Sequence, residues 1–153
     1  LDPAKIVIVS SSPQIRYPDC YGIDMARLGD FIAFKAAINL LRQREREDII
    51  RGVYAKALAE LQKPDDEMVN AVREIYAPFT DAEISGMIAV MLKTPGIGAE
   101  LEVVYQSIEG LHEACPGHTG AWYFTGNYPT PGGNRVANKA FVNYIEGVND
   151  RAY

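Results

Sequence analysis

The sequence predicts an α/β domain: strands of a parallel sheet joined by helices, with an added helical block after the first strand. Two apolar runs and one periodicity point to this. Lys5-Ile-Val-Ile-Val9 is short, continuous and β-branched, the pattern of a strand buried on both faces of a parallel sheet. Leu101-Glu-Val-Val-Tyr105 reads as a second strand. Between them, apolar residues recur every three or four positions, which places them on single faces of helices.

The first strand ends in Ser10-Ser-Ser-Pro13, small residues that offer backbone N–H groups and hydroxyls at the strand's C-terminal edge. That edge is where open α/β sheets bind ligands. Pro18 to Gly22 is turn-like, and Asp24 fits the cap of a helix running through Phe31 and Ile32 to about Arg42. From Arg42 to Lys63, charges alternate with Ile49, Ile50, Val53, Tyr54, Ala57, Leu58 and Leu61, which reads as one amphipathic helix. Pro64-Asp-Asp66 starts the next, acidic in its first turn, with Met68, Val69, Val72, Ile75 and Tyr76 on its apolar side. Pro78 ends it.

Thr80-Asp-Ala-Glu83 fits a capping box, in which the Thr and Glu side chains each satisfy an orphan backbone donor. Its helix runs to about Lys93 and stops at Pro95-Gly96. After the second strand, Ser107 opens a short helix to about Ala114. Ala121-Trp-Tyr-Phe-Thr125 reads as an aromatic third strand, and Asn134 to Glu146 as a closing helix with Val136, Ala140, Phe141 and Tyr144 on one side. Three short strands make an incomplete layer. The missing strands are expected upstream of Leu1, in a longer parent chain of which residues 1–153 form a single C-terminal region.

The 153 residues carry 15 Lys+Arg against 20 Asp+Glu, a net charge of -5, and the basic residues are scattered. That distribution argues against nucleic acid as a partner. No apolar run approaches the ~20 residues a membrane span requires, and no charged-then-apolar leader opens the chain, so a cytoplasmic protein is expected. Cys20 and Cys115 lie far apart and form neither a disulfide framework nor a metal knuckle.

Local catalytic signatures are scarce. His112 and His118 fall in no metal-binding or nucleophile pattern. Asp65/Asp66 and Glu45/Glu47 read as solvated helix faces. Gly132-Gly-Asn-Arg135 reads as a plain turn or, less often, as an anion site at a helix start. The informative stretch is Ile15-Arg-Tyr-Pro-Asp-Cys-Tyr-Gly-Ile-Asp-Met25. It follows a strand directly and crowds charged, aromatic and turn residues beside the ligand edge of the sheet.

Ser11 to Met25 closely resembles the segment that follows the phosphoribosylpyrophosphate loop in the amidophosphoribosyltransferase family. Phe124-Thr-Gly-Asn-Tyr-Pro-Thr130 resembles the F-T-G-x-Y-P-T motif near that family's C-terminus. A weaker likeness covers Asp81 to Leu111, and about Ala36 to Pro78 is left over as a helical insertion. The resemblance implies the C-terminal part of a phosphoribosyltransferase-type fold with an added helical block. It also implies a parent enzyme of the pentosyltransferase class that makes 5-phosphoribosylamine from phosphoribosylpyrophosphate and glutamine, in purine synthesis, with Mg²⁺ and as a homo-oligomer.

The family's acidic diphosphate motif and its N-terminal glutaminase domain do not occur in these residues, so this part alone is expected to be inactive and to carry no catalytic residue. What the resemblance assigns to it is the roof of the site. Arg16, Tyr17, Tyr21 and Asp24 belong to the loop beside the reaction centre, Arg16 as a candidate anion contact and Asp24 more as a helix cap. Phe31 corresponds to an apolar position lining the ammonia passage. Some relatives hold an iron-sulfur cluster between the two motif regions, but four thiolates are needed and this chain has two Cys, so no cluster is expected. The same comparison implies that Cys20 and Cys115 lie near each other, with Trp122, Tyr123 and Phe124 taking the cluster's place as a clip. A different reading is a stand-alone interaction module that docks a partner through the amphipathic helices between Arg42 and Ala77.

Overall fold

The computed structural model describes residues 3–22, 25–117 and 120–152. Strands β1 (Lys5–Ser10) and β2 (Glu100–Tyr105) pair in parallel, with Lys5 opposite Glu100 and Ser10 opposite Tyr105. Both strands therefore end side by side. The β-branched composition of β1 presupposes cover on two faces, yet Val7, Ile8 and Val9 are 49%, 43% and 72% exposed. No described residue supplies that cover, and among the described residues the far edge of β1 has no ladder partner.

The helix expected from Asp24 starts later. A 3-10 turn at Leu28–Asp30 comes first, and extended Phe31 then caps α1 (Ile32–Gln43). Its buried Ala33, Phe34, Ala37, Ile38 and Leu41 form the centre of the core. The run from Arg42 is not one helix. Arg42 to Glu47 has no apolar side chain to hold a helix on the core, and the chain turns there with Glu45 in the left-handed region at φ 56. Helix α2 (Glu47–Glu60) follows and buries Val53 and Ala57.

The helix expected from Pro64 to Tyr76 is replaced by a 3-10 turn (Asp65–Glu67), extended chain, and the short α3 (Arg73–Tyr76). Side chains take the backbone groups that a helix would have used. The Glu60 carboxylate accepts from Val69 N–H at 2.9 Å, and Asn70 Oδ1 accepts from Val72 N–H at 3.1 Å. Asn138 accepts from Ala71 N–H at 3.0 Å and donates to the Val69 carbonyl at 2.8 Å. Helix α4 (Asp81–Leu92) opens with the expected capping box: Glu83 N–H donates to Thr80 Oγ1 at 3.2 Å and Thr80 N–H to the Glu83 carboxylate at 2.7 Å. Ser107 caps α5 (Ile108–Ala114) through Gly110 N–H.

The aromatic third strand is a helical turn, α6 (Trp122–Thr125). The Phe124, Thr125 and Gly126 N–H groups donate back to the Ala121 and Trp122 carbonyls, the Thr125 hydroxyl donates to the Ala121 carbonyl at 2.9 Å, and Gly126, at φ 71, closes the turn, so these donors need no ladder. The sheet keeps two strands. Helix α7 (Pro131–Glu146) starts at a proline already shaped for a first turn and ends at Gly147, φ 69. It covers the apolar face of α2. The 36–78 block shares one hydrophobic core with α1, α4 and α7.

Candidate functional site

The two segments that resemble the family motifs are clipped together. Asp19 is fully buried; its carboxylate accepts from Tyr21 N–H at 2.8 Å and from the Tyr123 hydroxyl at 2.6 Å. In return, the Tyr123 carbonyl accepts from Arg16 N–H at 2.8 Å and Tyr17 N–H at 3.1 Å. The Tyr128 hydroxyl donates to the Pro18 carbonyl at 2.6 Å, and Tyr21 meets Trp122 edge-on with ring centroids 5.5 Å apart. Two glycines make room for the approach. A Cβ on Gly126 would stand 2.8 Å from the Tyr17 ring, and one on Gly133 would stand 2.2 Å from Tyr128.

The near end of the loop is held by α4. Buried Gln14 donates to the Asp81 carbonyl and to Ser85 Oγ, both at 2.8 Å, and its own carbonyl accepts two N–H groups of Arg16 at 3.1 and 2.6 Å. Arg16 also pairs with Asp81 and lies over the Tyr76 ring, 5.3 Å from its centroid. The Tyr76 hydroxyl donates to the Arg16 carbonyl at 2.7 Å. Arg16, a candidate anion contact, thus has much of its guanidinium committed to holding the loop.

Burial sets the chemistry of this cluster. It pushes the Tyr17 phenol up to about 12, and burial followed by the bond to Asp19 does the same for Tyr123. Tyr76 and Tyr128 rise for the same first reason. All four remain protonated at neutral pH. The Cys20 thiol is raised by burial and then by the Asp19 carboxylate, which makes it a poor nucleophile.

A hollow of about 430 Å³ opens at the C-terminal ends of both strands, lined by Ser10, Ser12, Met25, Arg27, Phe31 and Tyr105 among others. Its position is the ligand edge of a parallel sheet. Phe31 forms part of its lining. Arg16 and Tyr17 instead line a separate groove against α3 and α6, and Tyr21 is 56% exposed beside Trp122. Asp24 and His118 lie outside the described residues. Asp19, Gln14 and Tyr128 do positioning that sequence reading did not assign, while Tyr123, expected in an aromatic clip, donates to Asp19. A signal existed for Asp19, since an acid inside a Pro-x-Cys-Tyr-Gly turn has backbone donors within reach.

Cys20 and Cys115 are free thiols. No group of three or more His, Cys, Asp or Glu among the described residues is placed to hold a metal ion. No helix among the described residues is long and apolar enough to cross a membrane. No family model matches the chain, and neither a curated protein nor a solved structure matches it.

Proposed function

We propose that this chain is the C-terminal part of an amidophosphoribosyltransferase, a glycosyltransferase that forms 5-phosphoribosylamine from phosphoribosylpyrophosphate and glutamine. The observation that carries the reading is the clip itself. The two segments that resemble one family, more than 100 residues apart in the chain, meet through the Tyr123–Asp19 and Tyr128–Pro18 bonds. The open apolar edge of β1 supports it, since further strands would complete a parallel sheet there. Its hollow at Ser10 and Tyr105 would then face the reaction centre.

In this reading Phe31 and Met25 form apolar wall and Ser10 and Ser12 polar rim. An apolar wall passes neutral ammonia and rejects ammonium, which would have to shed its hydration. The missing diphosphate motif, the glutaminase domain and the Mg²⁺ ligands belong to the rest of the proposed enzyme, which is a cytoplasmic homo-oligomer. The interaction-module reading is weaker, because the apolar face of α2 that would meet a partner is already covered by α7.

The test uses the complete enzyme and the variant Phe31→Asp. Glutamine-dependent pyrophosphate release should fall by about tenfold or more, while release driven by added ammonium salt stays within about twofold, because only the passage is damaged. Equal loss of both rates in a folded variant would remove Phe31 from the passage.

A further inference from the structure

The groove beside Arg16 lies apart from the hollow at the strand ends. It holds about 690 Å³ between the Arg16–Tyr17 segment, α3 and α6. Phe79, Phe124 and Tyr76 give it aromatic surface, and Arg73, Asn127 and Tyr17 give it polar groups. Arg73 is exposed and has no ion pair or hydrogen-bond partner for its guanidinium among the described residues. The neighbouring carboxylate does not neutralise it, since Glu74 is engaged by Lys56.

Tyr17 supplies the second observation. The residue is only 3% exposed, yet its hydroxyl makes no hydrogen bond among the described residues, unlike those of Tyr76, Tyr123 and Tyr128. The hydroxyl is not one of the buried polar atoms left without a partner, so it reaches the groove surface as a donor that a ligand can meet. Arg73 and Tyr17 line the same groove, which puts the cation and the donor in one neighbourhood. The Asn127 side-chain amide is also uncommitted among the described residues.

We propose that this groove binds the phosphate or carboxylate group of a small aromatic molecule, with Arg73 as the charge partner, the Tyr17 hydroxyl as a donor, and the ring of the ligand against Phe124. A guanidinium fork matches either oxyanion, and ring contact favours a flat apolar body. The site does not depend on the enzyme assignment above, because it uses α3 from the 36–78 block and lies apart from the hollow at the strand ends.

Isothermal titration of the full chain with phenyl phosphate and, separately, benzoate tests it. Saturable binding of either is expected, weakened about tenfold by Arg73→Gln and several-fold by Tyr17→Phe. Neither change threatens the fold, since Arg73 is exposed and the Tyr17 hydroxyl holds nothing in place. Arg135→Gln, which removes a guanidinium already paired with Asp65, should leave affinity unchanged. Tighter binding of one probe identifies the oxyanion. Absence of saturable binding by both, or equal affinity in wild type and Arg73→Gln, overturns the proposal.

Discussion

Gly133→Ala should loosen the clip from a distance. The added methyl carbon would stand 2.2 Å from two ring carbons of Tyr128 and 2.5 Å from its Cβ. Because Cβ is among the clashing atoms, a rotamer change cannot relieve the overlap, and the Tyr128 backbone must move. Overpacking of this kind costs about 1–3 kcal/mol. Losing the 2.6 Å bond to the buried Pro18 carbonyl adds about 1 kcal/mol, and alanine's better helix propensity in α7 returns about 1 kcal/mol. The net destabilisation is about 1–3 kcal/mol, measured by urea denaturation. Tyr128→Phe alone should cost about 1 kcal/mol and should add almost nothing in the Gly133→Ala background, where the bond is already gone. A neutral Gly133→Ala, or an undiminished cost of Tyr128→Phe in that background, would refute the reasoning.

Three further outcomes are expected. Asn138→Ala removes two bonds to a fully buried side chain and leaves Ala71 N–H and the Val69 carbonyl unmet, so it should cost about 2–4 kcal/mol in the same denaturation assay. Glu83 is held at about 2 against an ordinary 4.5, first by Thr80 N–H and then by Arg44; its stabilisation is complete above pH 4.5 and disappears as pH falls towards 2. Glu83→Gln should flatten the acid limb of a urea-midpoint profile over that window. Tyr123 is raised from 10 to about 12, so the fold favours its protonated form and loses that support as pH rises from 10 towards 12. Tyr123→Phe should weaken the alkaline dependence, with tyrosinate absorbance following the titration.

What could be read from the residues was what near neighbours decide. The Thr80–Glu83 box and the Ser107 cap involve partners three residues apart, and both formed where expected. The Pro64–Tyr76 stretch has helical spacing, but Asn138, 67 and 69 positions away from the groups it bonds, captures its backbone. Trp122 to Phe124 has strand-like composition, yet its hydroxyl and carbonyl partners lie in the 16–19 loop. The same distance effect governs the site. The crowded segment after β1 stood out as a unit, while the fate of Arg16 rested on Asp81, 65 residues on. The exposure of β1 was not legible, because its β-branched composition leads one to expect cover on both faces and the described residues leave Val7, Ile8 and Val9 open.

The most direct test of the account is to purify the complete natural protein that contains this chain and measure pyrophosphate released from phosphoribosylpyrophosphate with and without glutamine. The account predicts release that requires glutamine and yields one glutamate per pyrophosphate. A folded, complete protein that releases none with either glutamine or ammonia would contradict it.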